Sequence, residues 1–349
     1  MDTIIREISD TIEDAETFLT AGEIIKNGGL VAFPTETVYG LGGDALNPAS
    51  SQKIYAAKGR PSDNPLIVHI ACMEDLPAIV KEIPDTARKL ADAFWPGPLT
   101  MIFEKSDLVP KETTGGLETV AVRMPSDPAA LAFIKEAGGY VAAPSANLSG
   151  KPSPTSAKYV EQDMLGRIDM ILDGGDVEIG LESTIVDLTS ENPMILRPGY
   201  VTKEMLEAEL GLIDLDKTMM NKDTGAAPKA PGMKYRHYAP KGDLSIVEGE
   251  DEKVVSYINV QTALLEAEGA KVGIIATDEN QEKYCAKIIM SAGSKTREEM
   301  IAHELYRILR EFDDLDVTYI YAESFDTSGM GQAIMNRLLK AAGHKVVHV

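Results

Sequence analysis

Apolar residues in the first two thirds of the chain fall into short runs divided by turn formers, with helical spacing between them. Residues 3–8 read as an edge strand, and 13–26 as an amphipathic helix stopped by Gly28-Gly29. The run 30–33 has the length of a buried strand and ends at Pro34. Thr35, Glu36 and Thr37 follow, where a strand-end loop would expose them, and Gly40, Gly42 and Gly43 predict a tight turn or a close approach to ligand. Asn47 as N-cap with Pro48 behind it opens a helix over 48–57. A second buried strand, 66–70, carries His69. The spacing then predicts two short helices split at Pro84, strands at 99–103 and 119–124, a helix at 128–137, and a strand at 140–143 that runs into Pro144-Ser145-Ala146-Asn147. A helix over 156–165 and strands at 170–172, 184–188 and 194–196 follow.

Strands and helices mingle here without strict alternation, which predicts an α/β fold with a mixed, twisted sheet. From residue 243 the pattern is cleaner. Strands at 244–247, 271–276, 317–321 and 345–349, with a weaker apolar piece at 286–290, are separated by helices at 252–268, 298–312 and 331–342. That is a small open sheet of Rossmann-like βαβ type. Thr296 and Glu299 fit a capping box for the middle helix. The expected organisation is a first domain over 1–212, a linker over 213–242 and a second domain over 243–349. The linker is rich in Pro and Gly, yet it contains Met233-Lys234-Tyr235-Arg236-His237-Tyr238. Such density of aromatic and cationic groups suits either docking on a domain surface or contact with a ligand.

Composition narrows the class. The 349 residues are 44% hydrophobic and 26% charged, as in a soluble globular protein, and no apolar run reaches membrane-spanning length. The polar, acidic start does not suit a signal peptide. Cys72 and Cys285 lie far apart and make neither a disulfide framework nor, with the histidines, a metal cluster, so a reducing cytoplasm is the expected location and no structural metal is expected. A net charge of −21 repels a nucleic-acid backbone. A polyanionic ligand must be met at a local cluster of cations and is therefore small.

Several stretches carry chemistry. Gly40 to Ala45 matches G-x-G-x-x-A, but the PTETVY insert separates strand from glycines, unlike a dinucleotide fingerprint. Gly293-Ser294-Lys295-Thr296 lacks the glycine a P-loop places before its lysine. Arg60, Arg123 and Arg197 each end an element and each has a proline within two residues, so their forked donors leave from stiff backbone beside Lys58. Such donors suit carboxylate or phosphate, or simple pairing with surface acids. Pro144-Ser145-Ala146-Asn147 and Leu181-Glu182-Ser183-Thr184 offer hydroxyl, amide and backbone donors at strand ends. His69, inside an apolar strand, fits a satisfied core histidine.

Taken together, PTETVYGLG, Lys58-Gly59-Arg60, Ser145-Ala146-Asn147 and the APGMKYRHYAP stretch over 230–240 resemble the threonylcarbamoyl-AMP synthases, the YrdC-like family, in its two-domain form. The resemblance covers the whole chain. It implies a YrdC-like first domain with a concave, positively charged cavity. It also implies an enzyme, a nucleotidyltransferase that makes threonylcarbamoyl-AMP and pyrophosphate from L-threonine, bicarbonate and ATP. The product feeds threonylcarbamoyladenosine modification of tRNA beside the anticodon, through a tRNA threonylcarbamoyl transferase complex. By the same resemblance Lys58 and Arg60 are the catalytic cations. ATP would meet these two with Asn64, Thr119, Ser145, Asn147, Ser153, Arg197, Tyr235, His237 and Tyr238. Threonine would meet Thr37, His69, Arg123, Ala143 and Ser183. Mg²⁺ would travel with ATP rather than in a protein cage. A nucleic-acid-binding module is the alternative, which the net charge disfavours.

Overall fold

The protein is seen here as a computed structural model that describes residues 2–216, 230–231 and 237–349. It divides into two compact units, residues 1–149 with 153–235 and residues 150–152 with 236–349. The second unit therefore takes three residues from the stretch assigned to the first domain, and it begins before residue 243.

The first unit holds one eleven-stranded sheet. Its strands are β1 Ile4–Glu7, β2 Val31–Phe33, β3 Gly40–Asp44, β4 Ile67–His69, β5 Leu99–Glu104, β6 Thr119–Arg123, β7 Val141–Ala143, β8 Met170–Asp173, β9 Thr184–Asp187, β10 Met194–Arg197 and β11 Asp214–Leu215. The order is β1-β8-β2-β3-β7-β4-β6-β5-β9-β10-β11, with parallel and antiparallel pairs mixed. Among the described residues seven helices flank it: α1 Ala15–Lys26, α2 Pro48–Lys58, α3 Leu76–Ile79, α4 Asp85–Phe94, α5 Pro128–Glu136, α6 Ala157–Met164 and α7 Lys203–Leu210. The predicted start of α2 holds in detail: the Asn47 side chain accepts from Ala49 N, Pro48 follows, and Gly59 closes the helix at φ 61°. Neither α7 nor β11 is foreshadowed by the apolar pattern. α7 buries only Leu206, and β11 is two residues long.

Side-chain parity divides the two faces of the sheet. Cross-strand partners share a face, so Ala142, Val68, Val122, Met101, Val186 and Ile195 form one row across five adjoining strand pairs. All six lie in the main core, with residues of α2, α3, α4 and α6. On the other face, α1 and α5 pack through Phe18, Ala21, Ile25, Ala130, Phe133 and Ile134 onto the β2–β8 end. Further along that face Ile67, Ile102, Ala121, Ile185 and Leu196 form an apolar floor with Ala230.

Two expectations fail here. Gly40, Gly42 and Gly43 make no tight turn but are part of β3, paired with β2 and β7. Their missing side chains make room for neighbours: a Cβ on Gly40 would lie 2.9 Å from the Phe33 ring, and one on Gly43 would lie 3.0 Å from Ile54. Thr35, Glu36 and Thr37 are buried rather than exposed. The loop folds inward because Thr35 Oγ1 donates to Val38 O, while Ile179 N and Gly180 N donate to the carbonyls of Glu36 and Thr37.

The second unit has five parallel strands, β12 Asp243–Glu248, β13 Val272–Ala276, β14 Ile288–Ser291, β15 Tyr319–Glu323 and β16 Val346–His348, in the order β14-β13-β15-β12-β16. Helices α8 Asp251–Ala267, α9 Glu298–Asp314 and α10 Gly331–Ala341 connect them, the βαβ arrangement expected. The capping box does not form. α9 starts after Arg297 with no side-chain cap, and the Thr296 hydroxyl bonds Ser294 Oγ instead.

The packing role of Gly42 is open to test. A Cβ there would lie 2.9 Å from Val141 Cγ1 and 3.2 Å from the Val31 carbonyl. Gly42→Ala is expected to cost about 1–3 kcal/mol of stability, typical of overpacking, read as a lower urea midpoint with an unchanged slope.

Candidate active site

The apolar floor carries a polar row beside it. Register places Val141, His69, Arg123, Thr100, Ile185 and Arg197 side by side across β7, β4, β6, β5, β9 and β10. The adjoining row, Ala143, Ile67, Ala121, Ile102 and Asp187, is mostly apolar. Thr119 lies on the same face as Arg123, four residues back along β6. Two arginines and a histidine thus sit on a buried sheet face where polar groups are costly unless paired.

Each arginine is held differently. Arg197 is 5% exposed and spends its fork on Ser183: Nε donates to Ser183 O at 3.0 Å and Nη2 to Ser183 Oγ at 3.1 Å. Its Nη1 donates to Pro231 O at 3.4 Å, and Ser183 Oγ also pairs with Thr100 Oγ1 at 2.7 Å. Arg123 is 4% exposed; its Nε reaches Gly97 O at 3.4 Å, and its Nη2 lies 2.8 Å from Glu36 Oε2. That contact is an ion pair without hydrogen-bond alignment, for neither Glu36 oxygen nor Nη2 has a hydrogen-bond partner. Beside Arg123, His69 is buried, with Nδ1 3.2 Å from Ile67 O and its ring edge-on to Phe33. Burial, and then the Arg123 charge, push its pKa down to about 3, so it is neutral at physiological pH. Thr37 Oγ1 pairs with Thr35 Oγ1 at 2.9 Å, and Ala143 ends β7 against Gly40.

A second group gathers at the end of α2. Lys58, the last residue of that helix, is buried, and its ammonium donates to Ser145 O at 2.5 Å, Asn147 O at 2.6 Å and Asn147 Oδ1 at 3.4 Å. Three acceptors and the negative end of the helix dipole offset the cost of burying this charge. Ser145 Oγ donates to Asn147 Oδ1 at 2.5 Å. Arg60 is half-buried, with Nη2 donating to Pro65 O at 3.1 Å and Nε near Asn64 O, while Asn64 Oδ1 is buried without a hydrogen bond. Ser153 Oγ donates to Glu182 Oε1 at 2.5 Å. The dipeptide Glu182-Ser183 thus joins Ser153 to the Thr100–Arg197 network.

Of the linker, Ala230 is buried on the apolar floor and Pro231 is bonded by Arg197. Tyr235 lies outside the described residues. His237 and Tyr238 belong to the second unit, where Tyr238, at φ 64°, stacks on Tyr306 with ring centroids 5.2 Å apart. Among the described residues no three His, Cys, Asp or Glu side chains converge as metal ligands.

Comparison with known proteins shows the family. A family profile described as "Telomere recombination" matches residues 23–199, and one described as "Threonylcarbamoyl-AMP synthase, C-terminal domain" matches 201–343. Threonylcarbamoyl-AMP synthase of Pyrococcus abyssi is 47% identical over 99% of this chain and 100% of its own length. The protein of the same name from Bacillus subtilis is 48% identical over 94% and 93%. The crystal structure of P. abyssi Sua5 complexed with L-threonine superposes with a TM-score of 0.94, covering 99% of this chain and 100% of that one at 47% identity. The chain belongs to the threonylcarbamoyl-AMP synthase family. It carries the YrdC-like fold and the small C-terminal α/β fold of Sua5.

Of the residues in this candidate site, Thr100 is not singled out from the sequence, and Glu36 and Glu182 are named there only within their loops, with no role of their own. Glu36 and Glu182 are acids inside otherwise neutral loops, and Thr100 is a hydroxyl in an apolar strand. Parity carries the signal for Thr100. Leu99, Met101 and Phe103 enter the main core, so Thr100 must face the same way as Arg123.

The buried neutral His69 links stability to pH. Its folded pKa of about 3 lies below the unfolded value of about 6.5. The unfolded chain alone therefore binds the proton between those values, and stability is full above about pH 6.5 and declines as pH falls. Urea unfolding of wild type should lose about 1.4 kcal/mol more per pH unit below pH 6 than that of His69→Gln. Equal slopes would show that His69 does not contribute this proton.

Proposed function

We propose that this chain carries out the synthesis for which its family is named, joining L-threonine, bicarbonate and ATP into threonylcarbamoyl-AMP with release of pyrophosphate. One observation carries the reading. A single sheet face presents a buried Arg123 row suited to an amino acid, and Glu182-Ser183 ties that row to Ser153 on the other side. The complex of the P. abyssi relative with L-threonine supports the amino-acid half.

In this reading Arg123 takes the threonine carboxylate, with Thr37, His69, Ala143 and Ser183 around it. His69, neutral, offers an imidazole N–H or lone pair without adding charge. Lys58 and Arg60, with Asn64, Ser145 and Asn147, receive the triphosphate; Thr119, Ser153 and Arg197 lie toward the nucleotide. Lys58 would exchange carbonyl acceptors for phosphate oxygens, and the Arg60 fork would leave the carbonyls of Asn64 and Pro65 likewise. ATP arrives as its magnesium complex, its metal held by phosphate oxygens. Catalysis is then positioning of the carbamate against the α-phosphate, with neutralisation of charge on the leaving pyrophosphate.

Of the linker over 213–242, Ala230 packs with the apolar floor and Pro231 accepts from Arg197, while Tyr238 stacks on Tyr306 within the second unit. Tyr235, His237 and Tyr238 belong to the nucleotide-binding set by the family resemblance alone, and excluding water from the adenylate is the role proposed for them. The product passes to a tRNA threonylcarbamoyl transferase complex in the cytoplasm. No described helix is long and apolar enough to cross a membrane. A net charge of −21 disfavours stable RNA binding by the chain itself.

Pyrophosphate release should require threonine and bicarbonate together. Arg123→Ala should weaken threonine by about 1.5–3 kcal/mol, the range for a charge-assisted contact, or about ten- to a hundredfold. ATP binding measured alone should hold. Arg60→Ala should do the reverse, with Arg60→Lys recovering only part, since an ammonium lacks the fork. Equal losses of both ligands in either alanine variant would contradict this division.

A further inference from the structure

The Glu36–Arg123 pair is out of keeping with its surroundings. Both side chains are at most 5% exposed, yet neither carboxylate oxygen accepts a hydrogen bond at a contact of 2.8 Å. Buried carboxylates normally collect donors, and a buried ion pair repays its desolvation only with good hydrogen bonding. Loop looseness does not explain the misfit. The carbonyl of Glu36 accepts from Ile179 N at 2.8 Å, that of Thr37 accepts from Gly180 N at 3.1 Å, and Thr35 Oγ1 donates to Val38 O. The backbone therefore holds Glu36 in place while its charge lacks donors.

We propose that Glu36 is the acceptor for the α-amino group of the substrate, and so the residue that selects an amino acid over the corresponding hydroxy acid. This rests on the assignment of Arg123 to the carboxylate. An α-amino acid carries its ammonium and carboxylate on one carbon, which matches a guanidinium and a carboxylate already in contact. A zwitterion turns one poorly aligned internal pair into two aligned pairs and adds no net charge to a buried site. A hydroxy acid would occupy Arg123 and leave the Glu36 carboxylate buried and uncompensated, the costly outcome. The surroundings favour a cation as well. Asp127 caps α5 by accepting from Ala130 N, and its carboxyl is pushed up by burial and, to a lesser degree, by the Glu36 charge. After carbamate formation the nitrogen retains one N–H, so Glu36 still has a donor to receive.

The test compares L-threonine with (2S,3R)-2,3-dihydroxybutyrate, which replaces the amine by a hydroxyl, by calorimetry on the full chain without ATP. Wild type should prefer threonine by about 100-fold, the scale of a buried charge left unpaired. In Glu36→Gln that preference should fall to within about fivefold, because threonine alone loses its partner. Glu36→Asp, which keeps the charge, should retain most of it and serves if the glutamine variant does not fold. A preference unchanged in folded Glu36→Gln would overturn the proposal. So would equal weakening of both ligands, which would make Glu36 only a prop for Arg123. Threonine binding unchanged in Arg123→Ala would instead refute the assignment beneath it.

Discussion

Charge buried on a sheet face is the constraint around which the first unit is arranged. Arg123 and Arg197 stand in one row with His69 and Thr100, where water is largely excluded and each polar group must find a partner. Arg197 is held by Ser183 and Pro231. Arg123 is left with a weak carbonyl contact and an unaligned carboxylate, the arrangement on which its proposed role as the amino-acid receptor rests. His69 answers the same constraint by staying neutral. A protonated imidazole beside Arg123 would add repulsion to desolvation.

The rest of the fold serves this row. Glycines in β3 let the Phe33 ring lie against the strand, and Phe33 in turn meets the edge of His69. The inward loop over Thr35–Thr37 follows from the same end of β2 and delivers Glu36 to Arg123. The place proposed for the triphosphate is not a helix N-terminus, the usual seat of an anion. A lysine at the C-terminus of α2 is held by carbonyls of the Ser145–Asn147 turn instead. In that proposal cationic side chains supply the attraction that a backbone nest would otherwise provide.

Much of this was legible from residues alone. The N-cap of α2, the positions of β5 and β6, and the βαβ type of the second unit all follow local rules. The PTETVYGLG and PSAN stretches pointed to the family. The glycines of β3 were misread because a glycine that admits a ring and a glycine that bends a chain look alike in sequence; only the partner strand distinguishes them. Glu36 read as exposed because acids usually are, and its burial depends on contacts from residues 179–180, far along the chain. α7 and β11 escaped because one buried leucine and a two-residue strand leave no periodic trace.

The central claim is that Arg123 and Lys58 mark the amino-acid and phosphate poles of one site. A crystal structure of the full chain with L-threonine and a non-hydrolysable ATP analogue tests it most directly. The account predicts the threonine carboxylate within hydrogen-bond distance of Arg123 and the phosphates within reach of Lys58, Ser145 and Asn147. Phosphate oxygens on Arg123, or threonine seated away from the His69–Arg123–Thr100 row, would contradict it.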